Sequence, residues 1–338
     1  MCPLNFRDAS LATETVHVKS RIVFIGSGTS EGVPRVTCLA REDPDCPACL
    51  SAMQPGSKDR RRNTSLLIQM PHPGQGVPLS HRDGYPTKLG TGVRTQTTAA
   101  PPDDGAGQPV RNIVIDAGKF FYQSAIDLFP KFRVHTLDAV VLTHAHADAT
   151  GGLDDLRDWT NNNSQPSLPI YVRPEDIRDT LSHTAFYLVD RAKATGGGSV
   201  AKLQFLEVAD RAFDIHGLRF TPLPVWHGRP HTANGYRFGD VCYIPDASEI
   251  PPETRALVEG CGLLVLDALR PVRTHGSHLT LEQAIEEVRR LRPKRALFTG
   301  MCHDIVHEAT EAALRRLRDT DGLDVGLAYD GLALDVDL

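Results

Sequence analysis

Two histidines and an aspartate stand at alternate positions in Leu142-Thr-His144-Ala-His146-Ala-Asp148-Ala149. In extended backbone, side chains at i and i+2 point to one side, so both imidazoles can reach one cation. The loop follows Leu137, Ala139, Val140, Val141 and Leu142, a nearly continuous apolar run of the kind found in interior strands. Ligand-type side chains at the mouth of a buried strand fit a catalytic site better than a packed core.

Other apolar runs end in the same way. Phe220-Thr-Pro-Leu-Pro-Val-Trp226 leads into His227-Gly228, and Val241-Cys-Tyr-Ile-Pro245 leads into Asp246-Ala-Ser248. Ile113-Val-Ile-Asp116 and Leu263-Leu-Val-Leu-Asp267 each close on a carboxylate. Upstream, the glycine-rich turn Gly26-Ser-Gly-Thr-Ser-Glu-Gly32 lacks the Gly-Lys-Ser/Thr ending of a nucleotide P-loop. It reads as a tight strand-to-loop turn near the site. Cys38, Cys46-Pro-Ala-Cys49 and the basic run Arg60-Arg-Arg62 follow it.

These motifs, in this order over residues 21 to 335, resemble the metallo-β-lactamase fold. The resemblance implies an α/β chain folded as a four-layer αββα sandwich, and a metal-dependent hydrolase. It implies metal ligands at His144, His146, His227 and Asp246, with Asp116 supporting the metal loop from behind. Within that family, Gly26 to Pro34, the three cysteines and the basic run resemble the phosphoribosyl cyclic phosphate phosphodiesterase branch. That likeness implies a structural zinc on Cys38, Cys46, Cys49 and one distant histidine, and a catalytic histidine before a late helix.

The interval from His278 to Thr299 fits the branch, which assigns His278 to catalysis and His303 to the structural zinc. A looser alignment instead gives His303 to the catalytic metal and leaves the cysteines with His275 or Cys302. The chain also departs from the pattern. Ala149 and Gly300 stand where two histidines of a second catalytic metal are expected, leaving Asp148 and the shared Asp246. One tightly held catalytic metal, zinc or manganese, is therefore expected, with a weak second position. Histidines placed at 149 and 300 should restore that position. The implied activity is hydrolysis of a small phosphodiester, cyclic phosphates included, with Asp148 orienting water and His278 protonating the leaving oxygen. Two other readings stay open: a transfer-RNA 3′-processing-type nuclease, and a non-catalytic metal-binding relative.

The 338 residues carry a net charge of −5, with 41% hydrophobic and 23% charged residues. This is an ordinary globular composition, and it argues against a nucleic-acid partner held by bulk charge. No apolar stretch approaches the ~20 residues of a membrane span. Seven cysteines, an odd number, with no secretory signal at Met1 to Lys19, point to thiols in the cytoplasm. The expected organisation is a tail at 1–20 and one metallo-β-lactamase-like domain at 21–338. Residues 71–109, rich in Pro, Gly, Thr and Gln, interrupt that domain as a weakly ordered insertion.

The elements that must hold the site alternate between strand and helix. Strands are expected at 21–25, 65–70, 203–208, 218–222, 263–267 and 296–299, with closing strands after 324. Helices are expected from Leu153 through Trp159, over 174–192, over 280–291 and over 308–318. Thr280 and Gln283 form a capping-box pair before a face of Ala284, Ile285, Val288 and Leu291. A helix starting beside the metal loop after Gly151-Gly152 would favour an anionic substrate.

Overall fold

The structure is a computed structural model that describes residues 20–71, 110–161, 165–194 and 198–338. The expected N-terminal tail and the 71–109 insertion lie outside the described residues, apart from their edge positions.

Alternation of side chains along extended backbone builds two sheets with two different faces. The first sheet contains β1 (Ser20–Gly26), β2 (Ser65–Pro71), β3 (Val110–Ile115), β4 (Ala139–Val141), β5 (Leu168–Val172), β6 (Leu203–Glu207) and β14 (Ala333–Val336). Its order is β14-β1-β2-β3-β4-β5-β6. The second contains β7 (Phe213–Ile215), β8 (Leu218–Trp226), β9 (Thr232–Phe238), β10 (Val241–Ile244), β11 (Leu263–Asp267), β12 (Arg295–Thr299) and β13 (Val325–Leu327), in the order β13-β12-β11-β10-β9-β8-β7.

Ile22, Phe24, Leu66, Ile68, Ile113 and Ile115 face inward and pack with Phe220, Tyr236, Phe238, Tyr243, Val265 and Leu297 between the sheets. Their neighbours Val23, Ile25, Leu67 and Val114 face outward, against a helix at Phe121–Leu128. Alternate residues of the second sheet, such as Leu264, Leu266 and Phe298, meet Ala284, Val288, Leu291 and Leu314 from helices at Leu281–Leu291 and His307–Asp321. The result is the four-layer αββα sandwich. Both Thr280 and Gln283 make their reciprocal capping-box bonds, which starts the Leu281–Leu291 helix where the sequence places it.

Three local expectations change. The Leu153–Trp159 helix is a 3-10 turn at Leu153–Leu156 followed by one α-turn at Arg157–Thr160. Gly152 donates to Ala117 O at 2.8 Å, so the glycine pair is tied to the sheet. Turns this short carry little macrodipole, and the expected anion-binding helix start is withdrawn. The 174–192 stretch breaks into separate turns, with Ala185 at φ −132° interrupting them. β8 runs on to Trp226 in spite of Pro222 and Pro224. Its pairing with β7 ends at Phe220, so the prolines lie on an unpaired edge where no N–H is required.

In each sheet the parallel strands end at the same rim. β3, β4 and β5 are parallel in one sheet; β10, β11, β12 and β13 are parallel in the other. Asp116, His144, His146, Asp148, Asp246, Asp267 and Gly300 all stand at or just past the carboxyl ends of these strands. That is where open α/β sheets place their ligands.

Candidate metal centre

Asp116 sets the first imidazole through one intermediate side chain. Its carboxylate accepts from the Thr143 amide and from Thr143 Oγ1, each at 2.8 Å. Having donated its proton to Asp116, the Thr143 hydroxyl accepts from His144 Nδ1 at 2.9 Å. This fixes the proton on Nδ1 and leaves a lone pair on His144 Nε2. That nitrogen is buried and has no hydrogen-bond partner. Asp116 holds a left-handed backbone, φ 63°, an uncommon conformation for a residue with a side chain.

His227 is set in the same manner. Its Nδ1 donates to Ser277 O at 3.0 Å, which directs Nε2 inward, 3.3 Å from His146 Nδ1. Donor atoms of His144, His146 and His227 all lie within 4.8 Å of one another, as do those of His227, Asp246 and His278. Burial, then the neighbouring histidines, pushes His227 down to about 3 and His144 well below the usual imidazole range. Both rings are neutral and present lone pairs. Burial, then Asp148, pushes Asp246 well above the usual carboxylate range. An unpaired imidazole nitrogen, His144 Nε2, beside carboxylates that repel one another fits a divalent cation, which would satisfy the first and relieve the second. Asp148 stands at the edge, its Oδ1 3.8 Å from His144 Nε2. Gly118 lets the metal loop approach: a Cβ there would lie 1.8 Å from Asp148 O.

His278 joins this cluster with a carboxylate behind it. Its Nδ1 donates to Asp267 Oδ2 at 2.8 Å and lies 3.8 Å from Asp246. Burial alone would lower its pKa, but Asp267 outweighs burial and lifts it to about 9. Burial in turn lifts Asp267, and the imidazolium works against that lift, so the pair shares one proton along this bond. Asp267 also accepts from Ala247 N at 3.0 Å, locking the segment that carries Asp246. Sequence reasoning gave Asp267 no role. The one available signal was a carboxylate closing an otherwise apolar strand.

Gly300 sets a cost on placing a histidine there to restore a second metal position. Its φ is +73°, and an added Cβ would sit 2.5 Å from Asp267 Oδ1. Ala149 is 2% exposed. A side chain at 300 therefore needs a strained backbone and a shift of Asp267, and one at 149 starts from a buried position.

The cysteines form a separate cluster. Cys38 Sγ and Cys46 Sγ lie 3.4 and 3.3 Å from His303 Nδ1, and Cys49 completes a set with all donors within 4.8 Å of one another. Cys46 precedes the helical turn Pro47–Ala52 that carries Cys49, and Cys38 sits in the turn Val36–Leu39. The apolar cluster around them is small, built on Val33, Ala48 and Ala52. His303 is thus grouped with the cysteines; Cys302 and the exposed His275 are not in the set.

The basic run faces neither cluster's donors. Arg61 is 1% exposed; its Nη1 donates to Cys302 O and Ile305 O at 3.1 and 2.9 Å, and its Nη2 to Asp59 at 2.9 Å. Arg62 pairs with Asp127, and Arg60 donates to Ala52 O. Arg61 is an anchor inside the fold, whereas Arg60 is exposed and Arg62 half-buried. Among the described residues, no helix is long and apolar enough to cross a membrane.

A family model described as a beta-lactamase superfamily domain matches residues 111–301. The chain belongs to that superfamily, whose members are metallo-hydrolases. A solved structure described as a new diphosphatase from the PhnP family superposes with a TM-score of 0.68 at 29% identity, covering 95% of this chain and 99% of its own. Zn(2+)-bound PqqB from Methylobacterium extorquens superposes with a TM-score of 0.62, covering 94% and 100%; at 18% identity this likeness speaks to the fold alone. A curated octanoyltransferase of Porphyromonas gingivalis (strain ATCC BAA-308 / W83) is 28% identical over 293 residues. That stretch is 84% of this chain and 46% of the relative, so the chain spans about half the relative's length.

Proposed function

We propose that this protein is a metal-dependent phosphodiesterase acting on a small phosphodiester. The observation that carries the reading is the convergence of the unpaired His144 Nε2 with His146 and His227, next to the buried His278–Asp267 pair. The likeness to the PhnP-family diphosphatase supports a phosphoryl compound as the substrate class.

His144, His146, His227 and Asp246 would hold one divalent cation, zinc or manganese; Asp148 and Asp246 alone would hold a second only weakly. Such a cation supplies Lewis-acid polarisation of a phosphoryl oxygen and acidifies a water molecule. Asp116, through Thr143, keeps His144 in the tautomer that can ligate. Asp148 at the edge of the cluster accepts a proton from the attacking water. His278 carries a proton at neutral pH because Asp267 holds it there, and delivers that proton to the leaving oxygen. Cys38, Cys46, Cys49 and His303 would hold a structural zinc in a closed tetrahedral shell, cross-linking a segment with little core of its own.

The test is metal analysis of protein purified without chelator, run with a screen of cyclic and linear phosphodiesters. One cysteine-site and one histidine-site equivalent, with turnover of at least one diester, is the expected result. A histidine cluster that takes up no divalent metal would overturn the reading.

A further inference from the structure

The histidine cluster is assembled from two sheets. His144 and His146 follow β4 of the first, whereas His227 and Asp246 follow β8 and β10 of the second. A metal site tolerates little error in where its donors stand, so the offset between the sheets has to be fixed. Phe24, Ile115, Phe220 and Val265 fill the space between them. Burial of such groups is non-directional: it presses the sheets together without setting how far one slides over the other.

Polar links from alternate residues of β9 supply that direction. Tyr236 Oη donates to Leu142 O at 2.8 Å. Asn234 N donates to Thr143 O at 2.9 Å, which it can do because β9 pairs with β10 only as far as Tyr236. At the rim, Thr232 meets Arg173, the residue that follows β5. Arg173 Nη1 donates to Thr232 Oγ1 at 2.9 Å, and Nη2 donates to Thr232 O at 3.0 Å. Thr232 pairs with Trp226, and His227 N donates to His231 O at 3.0 Å, so the residue that Arg173 grips adjoins the turn presenting His227. The far edge of the guanidinium is fixed as well. Nε and Nη2 donate to Asp176 Oδ2 and Oδ1 at 2.8 and 2.9 Å, and Glu175 Oε1 lies 3.4 Å from Nη1. The strand before Arg173 also supports the metal loop, since Leu142 N donates to Tyr171 O at 2.8 Å.

We infer that Arg173, oriented by Asp176, is a positioning residue for the metal centre: through Thr232 it fixes His227 opposite His144 and His146. It touches neither the metal nor the substrate. The Arg173 and Asp176 side chains are only 7% and 10% exposed. A buried ion pair adds little net stability once its desolvation is counted, so stability alone is a poor reason for this one. What the pair provides is direction, because a planar fork held along one edge by a carboxylate aims its remaining donors at one place. Lysine offers a point charge without that fork and cannot hold Asp176 and both oxygens of Thr232 together. The inference rests on the metal-holding part of the proposed function and is independent of which phosphodiester is cleaved.

Cobalt(II) bound to the full chain tests this, because it reports both metal clusters in one sample and only the cysteine cluster adds sulfur-to-cobalt charge-transfer bands. In competition with a chelator, Arg173→Lys and the double variant Arg173→Met with Asp176→Leu should weaken the histidine-held cobalt by roughly 10–100-fold and alter its visible absorption. The cysteine-held cobalt should keep its wild-type affinity and so serves as the internal control. The double variant replaces the pair by apolar groups and strands no charge, which preserves the fold. Thr232→Val removes one of the two acceptors at an exposed position, and should shift the histidine-held cobalt in the same direction by less. Equal weakening at both clusters would mean a general loss of structure and overturns the inference. An unchanged affinity and spectrum at the histidine cluster overturns it too. Wild-type protein that takes up cobalt at the cysteine cluster alone would defeat the metal reading itself, and this inference with it.

Discussion

The Asp267 carboxylate fills the space that a side chain at Gly300 would need: a Cβ on Gly300 would come within 2.5 Å of Asp267 Oδ1. These two residues end neighbouring parallel strands, where Asp267 pairs in register with Thr299. Absence of a side chain at one position thus permits a buried carboxylate at the other, and that carboxylate holds His278. Gly300→Ala should therefore destabilise the protein by roughly 1–3 kcal/mol, from the left-handed backbone and the contact together. Urea unfolding at matched metal content measures this, and equal midpoints would refute it.

The pH profile of turnover should end with His278. Its pKa is raised to about 9, so the proton donor is intact below that value and is lost as pH rises through it. Asp267→Asn removes the charge that raises it, and should move the alkaline limb of kcat to lower pH. An alkaline limb at the same pH in both proteins would mean that His278 is not the donor.

His146→Ala should remove about one metal equivalent and nearly all turnover together, because His146 Nδ1 faces His227 Nε2 at 3.3 Å at the centre of the cluster. The cysteine-held equivalent should persist. Elemental analysis beside a diesterase assay reads both. Retention of full metal content would remove His146 from the ligand set.

Cys49→Ala should release the other equivalent and lower the melting temperature, since few apolar contacts hold the Val36–Leu39 and Pro47–Ala52 turns. The histidine-held metal should remain. Simultaneous loss of both equivalents in a protein that is still folded would show that the two clusters are not independent.

Arg61→Met should destabilise by about 3–5 kcal/mol, because it leaves Asp59 charged and buried and frees Cys302 O and Ile305 O. Those two carbonyls flank His303, so affinity at the cysteine site should weaken as well. Zinc competition with a chromophoric chelator measures the second effect. An unchanged affinity would separate the Arg61 anchor from the metal cluster.

Much of this protein is legible in its sequence because the causes are local. The His144-x-His146-x-Asp148 spacing, the alternation of Ile22 to Ile25, and the Thr280–Gln283 capping box each act within a few residues. Strand ends that close on Asp116, Asp246 and His227 are visible for the same reason. Tertiary structure decided what depends on distant partners. His303 meets Cys38 across 265 positions of chain, and Arg61 meets Cys302 across 241. The family resemblance points to the first contact, but no local pattern in the chain reports either one. A run of three arginines reads as solvated charge until the fold buries the middle one. The helix expected after Gly152 forms as a 3-10 turn at Leu153–Leu156 running into an α-turn at Arg157–Thr160, and the bond from the Gly152 amide to Ala117 O that ties its start to the sheet is set by sheet position. Asp267 acquired its partner only when two parallel strands ended side by side. Local pattern sets which residues face one way, and long-range closure sets which of them meet.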